Sequence, residues 1–148
     1  MWRRFQVAGD ITVAQLGYIV MPMYEMRASR LFALEHERPF LAPSGRLSKR
    51  MGLIARYGLP SDDDWLKDME DEDATKTVLS QLDLAPPSRL PVWYDFGDDW
   101  RVPVTLEKTL DDAEVSGKRR PCVLAGKGLG IIEDCGGIGG SPMRRILP

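Results

Sequence analysis

Few side chains in this sequence have chemistry beyond packing, and they are unevenly spread: Cys122, Cys135, a single histidine at His36, and several groups of carboxylates. Two thiolates with His36 and a carboxylate such as Asp134 or Glu133 would supply four zinc ligands. The close Cys-x-x-Cys or His-x-x-x-His pairs that usually declare a zinc site are absent, so packed thiols are the competing reading. Asp95, Asp98, Asp99, Glu133 and Asp134 are raw material for general acid–base catalysis. A turn aspartate such as Asp98 more commonly accepts hydrogen bonds from its own backbone. No Gly-x-Ser-x-Gly element occurs, and His36 is the one imidazole available to either cysteine. Gly126-Lys-Gly-Leu-Gly130 lacks the Gly-Lys-Ser/Thr ending of a phosphate cradle and reads as loop backbone. The balance favours a protein that is not an enzyme.

Charge runs offer a second kind of chemistry. Eight acidic residues, Asp62, Asp63, Asp64, Asp68, Glu70, Asp71, Glu72 and Asp73, surround Trp65 and Leu66 with a single base, Lys67. Such a run is either a solvated helix start, its carboxylates favouring the N-terminal dipole, or a DNA mimic or acidic docking surface with Trp65 as its anchor. Basic residues gather at Arg3-Arg4, over Arg46, Lys49, Arg50 and Arg56, at Lys118, Arg119 and Arg120, and at Arg144-Arg145. Brought onto one face, they would track phosphates.

The elements that must position these groups follow from periodicity. Trp2 to Val7 alternates as an opening strand, and Ala8-Gly9-Asp10 turns the chain. Asp10 or Thr12 caps a helix carrying Val13, Leu16, Ile19 and Val20, which Pro22 ends or kinks. Ser29 to Glu35 is a short strand, with His36 at its exposed end between Glu35 and Glu37. Pro39, Pro43 and Gly45 mark a loop, and Arg46 to Arg56 is expected as a short exposed helix. Thr77 to Leu84 suits a strand or a short helix. Pro91 to Phe96 and Trp100 to Glu107, joined by Gly97-Asp98-Asp99, form the clearest hairpin, with Pro103 at an edge or bulge. Trp93, Tyr94, Phe96 and Trp100 are expected to pack in it. Seven glycines between Gly126 and Gly140 imply a tightly turned loop. This pattern predicts an α+β fold, mainly antiparallel sheet with a C-terminal β-hairpin and one to three packed helices.

Size and composition bound the class. The chain has 148 residues, of which 43% are hydrophobic and 28% charged, with a formal charge of −2. One domain spanning residues 1–148 is expected, with no global field toward nucleic acid or an anionic membrane. The longest apolar run, Leu16 to Met23, is shorter than the ~20 residues that cross a bilayer. Two cysteines and no secretory leader point to reduced thiols in the cytoplasm.

The segment Tyr94-Asp-Phe-Gly-Asp-Asp-Trp-Arg101 with Leu106-Glu107, followed by Pro121-Cys122, Gly126 and Glu133-Asp-Cys-Gly-Gly137, resembles the signature of the plasmid Ri ORF-three-like family. The opening Trp2-Arg-Arg-Phe, Asp10-Ile-Thr-Val and Leu16 are similar to its N-terminal motif. The resemblance implies a small α+β protein carried by plasmids, transposons or prophages. The chain departs from the pattern at Val102 and at Ser29 or Arg30, where the family has histidines. It departs again at Ile131-Ile132, where two prolines are usual, and at Gly140 or Ser141, where an aromatic is expected. A binding role tolerates those losses better than catalysis does. The expected function is therefore that of a prophage accessory protein docking on a host protein. A counter-defence inhibitor of a Cas nuclease, an anti-CRISPR protein, is its concrete form. The alternatives are a DNA-associated factor of transposition or plasmid maintenance and a zinc-dependent hydrolase.

Overall fold

In the computed structural model the described residues are 1–63, 71–111, 114–115 and 121–137. The fold is α+β, with seven strands in mainly antiparallel sheets and one α-helix among the described residues. The opening strand β1 (Trp2–Gln6) pairs antiparallel with β7 (Cys122–Lys127), so the two ends of the described chain close on each other in a two-stranded sheet.

Helix α1 (Val13–Met23) starts where a donor is supplied for each end of its cap. The backbone N–H of Gln15 donates to Thr12 Oγ1 at 3.1 Å, and Gln15 Oε1 accepts from the Thr12 N–H at 2.8 Å. Two further N-terminal N–H groups, of Val13 and Ala14, donate to the carbonyls of Thr77 and Ala74 at 2.9 and 2.8 Å. The loop after the acidic run thereby anchors the helix start. Pro22 sits inside the last turn and the helix stops one residue later. Its buried face, Val13, Leu16, Val20 and Met21, lies on the main sheet, and Gly17 allows the closest approach, since a Cβ there would run into the Phe32 ring.

That main sheet has five strands in the order β4-β3-β2-β5-β6. Strands β2 (Phe32–Leu41) and β3 (Leu47–Gly58) form its longest hairpin. The Arg46–Arg56 stretch is thus a strand and not the exposed helix its charges suggested. Cross-strand pairing overrides local propensity here, because Tyr57 and Ala55 face Leu34 and His36 across the ladder. Pro39 lies within β2 at little cost. The N–H groups of Glu35 and Glu37 point toward Pro91 and Arg89, and the position two residues on reaches past that neighbour. Strands β5 (Val92–Tyr94) and β6 (Trp100–Val102) form the expected second hairpin, with β6 at the sheet edge just before Pro103. Strand β4 (Glu72–Asp73) pairs parallel with the end of β3, and Thr77 to Leu84 contains a 3-10 turn at Leu79–Gln81.

The core gathers Phe32, Leu34, Val92, Tyr94, Val13 and Met21, all essentially inaccessible. Each such side chain contributes about 1.5–3 kcal/mol on burial. Between β1, α1 and the segment after β6 runs an apolar trough of about 750 Å³, lined among others by Phe5, Leu16, Leu90 and Leu106, with Arg4 and Glu107 in its wall. No helix among the described residues is long and apolar enough to cross a membrane.

Candidate functional site

The two halves of the sequence signature meet at one end of the main sheet. Asp95 and Asp99 turn the β5–β6 connection in left-handed backbone conformations, with φ of 49° and 52°. Asp95 Oδ1 accepts from the Gly97 N–H at 3.2 Å, as a turn aspartate does. The loop 131–137 docks against this turn. The Tyr94 hydroxyl donates to Glu133 Oε1 at 2.7 Å, and the same oxygen accepts the Arg27 N–H at 2.7 Å. Arg30 spans the two halves, 2.9 Å from Asp134 and 3.7 Å from Asp95. Gly137 sits so close to the Asp98 carbonyl that any Cβ would overlap it. Burial, then the bond to Glu133, pushes the Tyr94 hydroxyl above its ordinary pKa. The carboxylates proposed for acid–base work are therefore brought near one another, but Asp95, Glu133 and Asp134 each hold a structural partner.

The four side chains expected to share a metal do not converge. Among the described residues no group of three or more His, Cys, Asp or Glu side chains could hold a metal ion. Cys122 is exposed on β7 opposite Gln6, whereas the Cys135 thiol donates to the Ile132 carbonyl at 2.9 Å and Asp134 is held by Arg30. His36 is not at an exposed strand end but 3% accessible within β2, because that strand runs on to Leu41, beyond the Glu35 end its apolar stretch indicated. Its burial, with Arg38 nearby, lowers its pKa below the ordinary 6.5. At two positions where the resemblance leads one to expect histidine, Val102 is buried core and Ser29 lies near the Tyr94 hydroxyl.

The acidic run is partly absorbed by the fold. Asp64, Trp65, Asp68 and Glu70 lie outside the described residues, as do Lys118, Arg119, Arg120, Gly140, Ser141, Arg144 and Arg145. Asp62 and Asp63 are exposed. Asp71 faces Arg56 at 3.7 Å, and its burial raises its pKa against the pull of that arginine. Glu72 and Asp73 are strand β4, not a helix start, and Asp73 binds the Thr75 hydroxyl at 2.6 Å and Lys76 at 3.2 Å. Beside them lies a charge network that sequence reasoning missed. Glu35 accepts from Arg101 at 2.9 Å and lies 3.4 Å from Arg56, while the Arg101 guanidinium stacks 4.0 Å from the Trp93 ring centre. Glu35 pairs with Arg56 across β2–β3, and Trp93 pairs with Arg101 across β5–β6. Only the sheet order joins the two pairs, so no local sequence signal announces them.

The far half of the β2–β3 hairpin has the opposite character. Phe40, Leu41, Leu47, Leu53 and Ile54 are 55–70% exposed. Arg46, Lys49 and Arg50 are exposed among them, on a tip closed by the Ala42 N–H to Arg46 carbonyl bond at 2.9 Å. From Arg38 to Ser61 the chain carries five basic residues and no acidic one. Of the basic positions proposed for a partner, the structure thus groups Arg46, Lys49 and Arg50 on one projecting element. The other described cluster is tied down: Arg3 donates to main-chain carbonyls of Lys127 and Gly128, and Arg4 pairs with Glu107 at 2.8 Å.

The strand order, the closing β1–β7 pair and the docked signature loop define a particular class of small α+β protein. The chain belongs to the plasmid pRiA4b ORF-3-like family, whose sequence model matches residues 1–144. It is also similar to a crystal structure of a protein of unknown function from Methanosarcina mazei Go1, with a TM-score of 0.68 and 28% identity over 94% of this chain and 67% of that one. Among curated proteins none matches the sequence.

Proposed function

We propose that this protein is a docking protein of a mobile element, acting in the cytoplasm of its host by engaging a host protein through the far half of the β2–β3 hairpin. The observation that carries the reading is the set of five large apolar side chains exposed there, interleaved with Arg46, Lys49 and Arg50. Large apolar side chains left exposed beside charges mark interaction sites in folded proteins. Aromatic and aliphatic anchors of this kind supply most of an interface's energy, while the charges set partner choice and association rate. Within the acidic run, Asp71 and Asp73 hold internal partners, so the reading rests on the hairpin and not on those two carboxylates.

The test is a pull-down from host lysate with nuclease treatment, comparing the natural chain with a Leu53→Glu/Ile54→Glu variant of unchanged melting temperature. A protein retained by the first and lost by the second supports the reading, and a defence nuclease among such proteins would give it the counter-defence form. Equal retention by both overturns it. A second reading, nucleic-acid binding, rests on the clustering of Arg46, Lys49 and Arg50. It predicts recovery of DNA or RNA alone and a steep loss of affinity with salt.

A further inference from the structure

We propose that the partner contributes an acidic extended segment that adds to the outer edge of β3 as a new strand; this rests on the docking role proposed above and names the chemistry it recognises. Strand β3 is twelve residues long, yet among the described residues only Tyr57 and Gly58 have a strand partner on its outer side. Along Leu47 to Arg56 no described residue pairs with this edge and, the Arg50 N–H apart, which donates to Ser48 Oγ at 3.0 Å, its main-chain donors and acceptors are the template used in strand addition. Two observations specify the occupant. The edge already accepts an acidic strand at its C-terminal end, where Glu72 and Asp73 lie beside Tyr57 and Gly58 and Asp71 faces Arg56 at 3.7 Å. The remainder of the edge carries Arg46, Lys49 and Arg50 with no acidic residue between Arg38 and Ser61, so a carboxylate-bearing strand complements it.

The same features argue against a second copy of this chain. Two such edges would bring like charges together, which is unfavourable across a strand pair. The extra residue Ile54, between the Glu37–Leu53 and His36–Ala55 pairs, adds a bulge that disturbs regular edge-to-edge stacking. An acidic segment of moderate length avoids both obstacles by pairing between Met51 and Leu53 and by reaching the basic side chains on either side.

The experiment uses the full chain and two synthetic probes, a peptide alternating valine with glutamate and its valine–lysine counterpart. Fluorescence anisotropy is expected to show binding of the glutamate peptide only, weakened about tenfold in a Lys49→Glu/Arg50→Glu variant and by added salt. Hydrogen exchange is expected to show that the Leu47–Leu53 amides not donating to β2 become slow only with that peptide. Three results overturn the inference: equal binding of both peptides, slow exchange in the protein alone at those Leu47–Leu53 amides that do not donate to β2, or binding that leaves those outward amides unchanged. If the glutamate peptide fails while the Leu53→Glu/Ile54→Glu variant still loses its host protein, the docking role stands and strand addition falls. If that variant keeps every partner, the docking role itself fails.

Discussion

The docked signature loop and the far half of the β2–β3 hairpin are built from similar residue types and treat them in opposite ways. Around Tyr94, several polar groups of the signature meet groups of the same chain, as Glu133 meets Tyr94 and Arg27, and Arg30 meets Asp134. On the hairpin, Arg46, Lys49 and Arg50 point to solvent among exposed Phe40, Leu41 and Leu53. The difference teaches that a strong sequence signature can mark the residues that close a fold. The surface left exposed, here the one proposed for docking, then lies elsewhere, on residues the signature does not include.

Mutations that separate the two regions should differ in kind. Tyr94→Ala removes a fully buried ring and should cost about 3–5 kcal/mol by denaturant unfolding. Tyr94→Phe keeps the ring but leaves Glu133 short of a donor, and should cost about 1–3 kcal/mol. If Tyr94→Phe were neutral, the loop would be held by its other contacts, the Arg27 N–H on Glu133, Arg30 on Asp134 and the Ile131 N–H on the Tyr24 carbonyl.

Titration provides a smaller lever. The folded pKa of His36 is below its ordinary 6.5, so the unfolded chain binds its proton more readily. Its contribution to stability is present above pH 6.5 and declines as pH falls from there toward the lowered value. Melting temperatures should drop on acidification through that window, and His36→Phe should flatten the drop. Asp71 has the opposite sign, being raised above 3.8 by burial, so its charged form weakens the fold as pH rises past that value. Asp71→Asn should therefore raise stability at neutral pH by less than about 1 kcal/mol, since Arg56 keeps Glu35 nearby, and the gain should close in acid. Smallest of all, Leu53→Glu/Ile54→Glu should change unfolding free energy by under about 0.5 kcal/mol, as surface changes do, while removing partner capture. A large stability loss there would turn the exposed patch into part of the core.

Much was legible in the chain itself. Trp2 to Val7, the Thr12-capped helix and the Tyr94–Trp100 hairpin were readable because each is stabilised by near neighbours: alternation, a capping box and a turn rich in glycine and aspartate. Arg46–Arg56 was misread as a helix because nothing local gives away its pairing with Phe32–Leu41, and Pro39 and Gly45 hide the strand that precedes it. The zinc constellation failed for a related reason. Residue types suited to a metal say nothing about convergence, and His36, Cys122 and Cys135 lie on three different structural elements.

By itself, then, the sequence determined the α+β class, the family and the residues of the signature, all properties carried by local pattern and residue identity. Which strands neighbour one another, that Tyr94 closes on Glu133, that Glu35 gathers Arg56 and Arg101 over Trp93, and that one hairpin projects apolar and basic side chains into solvent were decided by tertiary structure. Those contacts join residues far apart in the chain, and their free energy appears only once the sheet has paid the entropy of bringing them together.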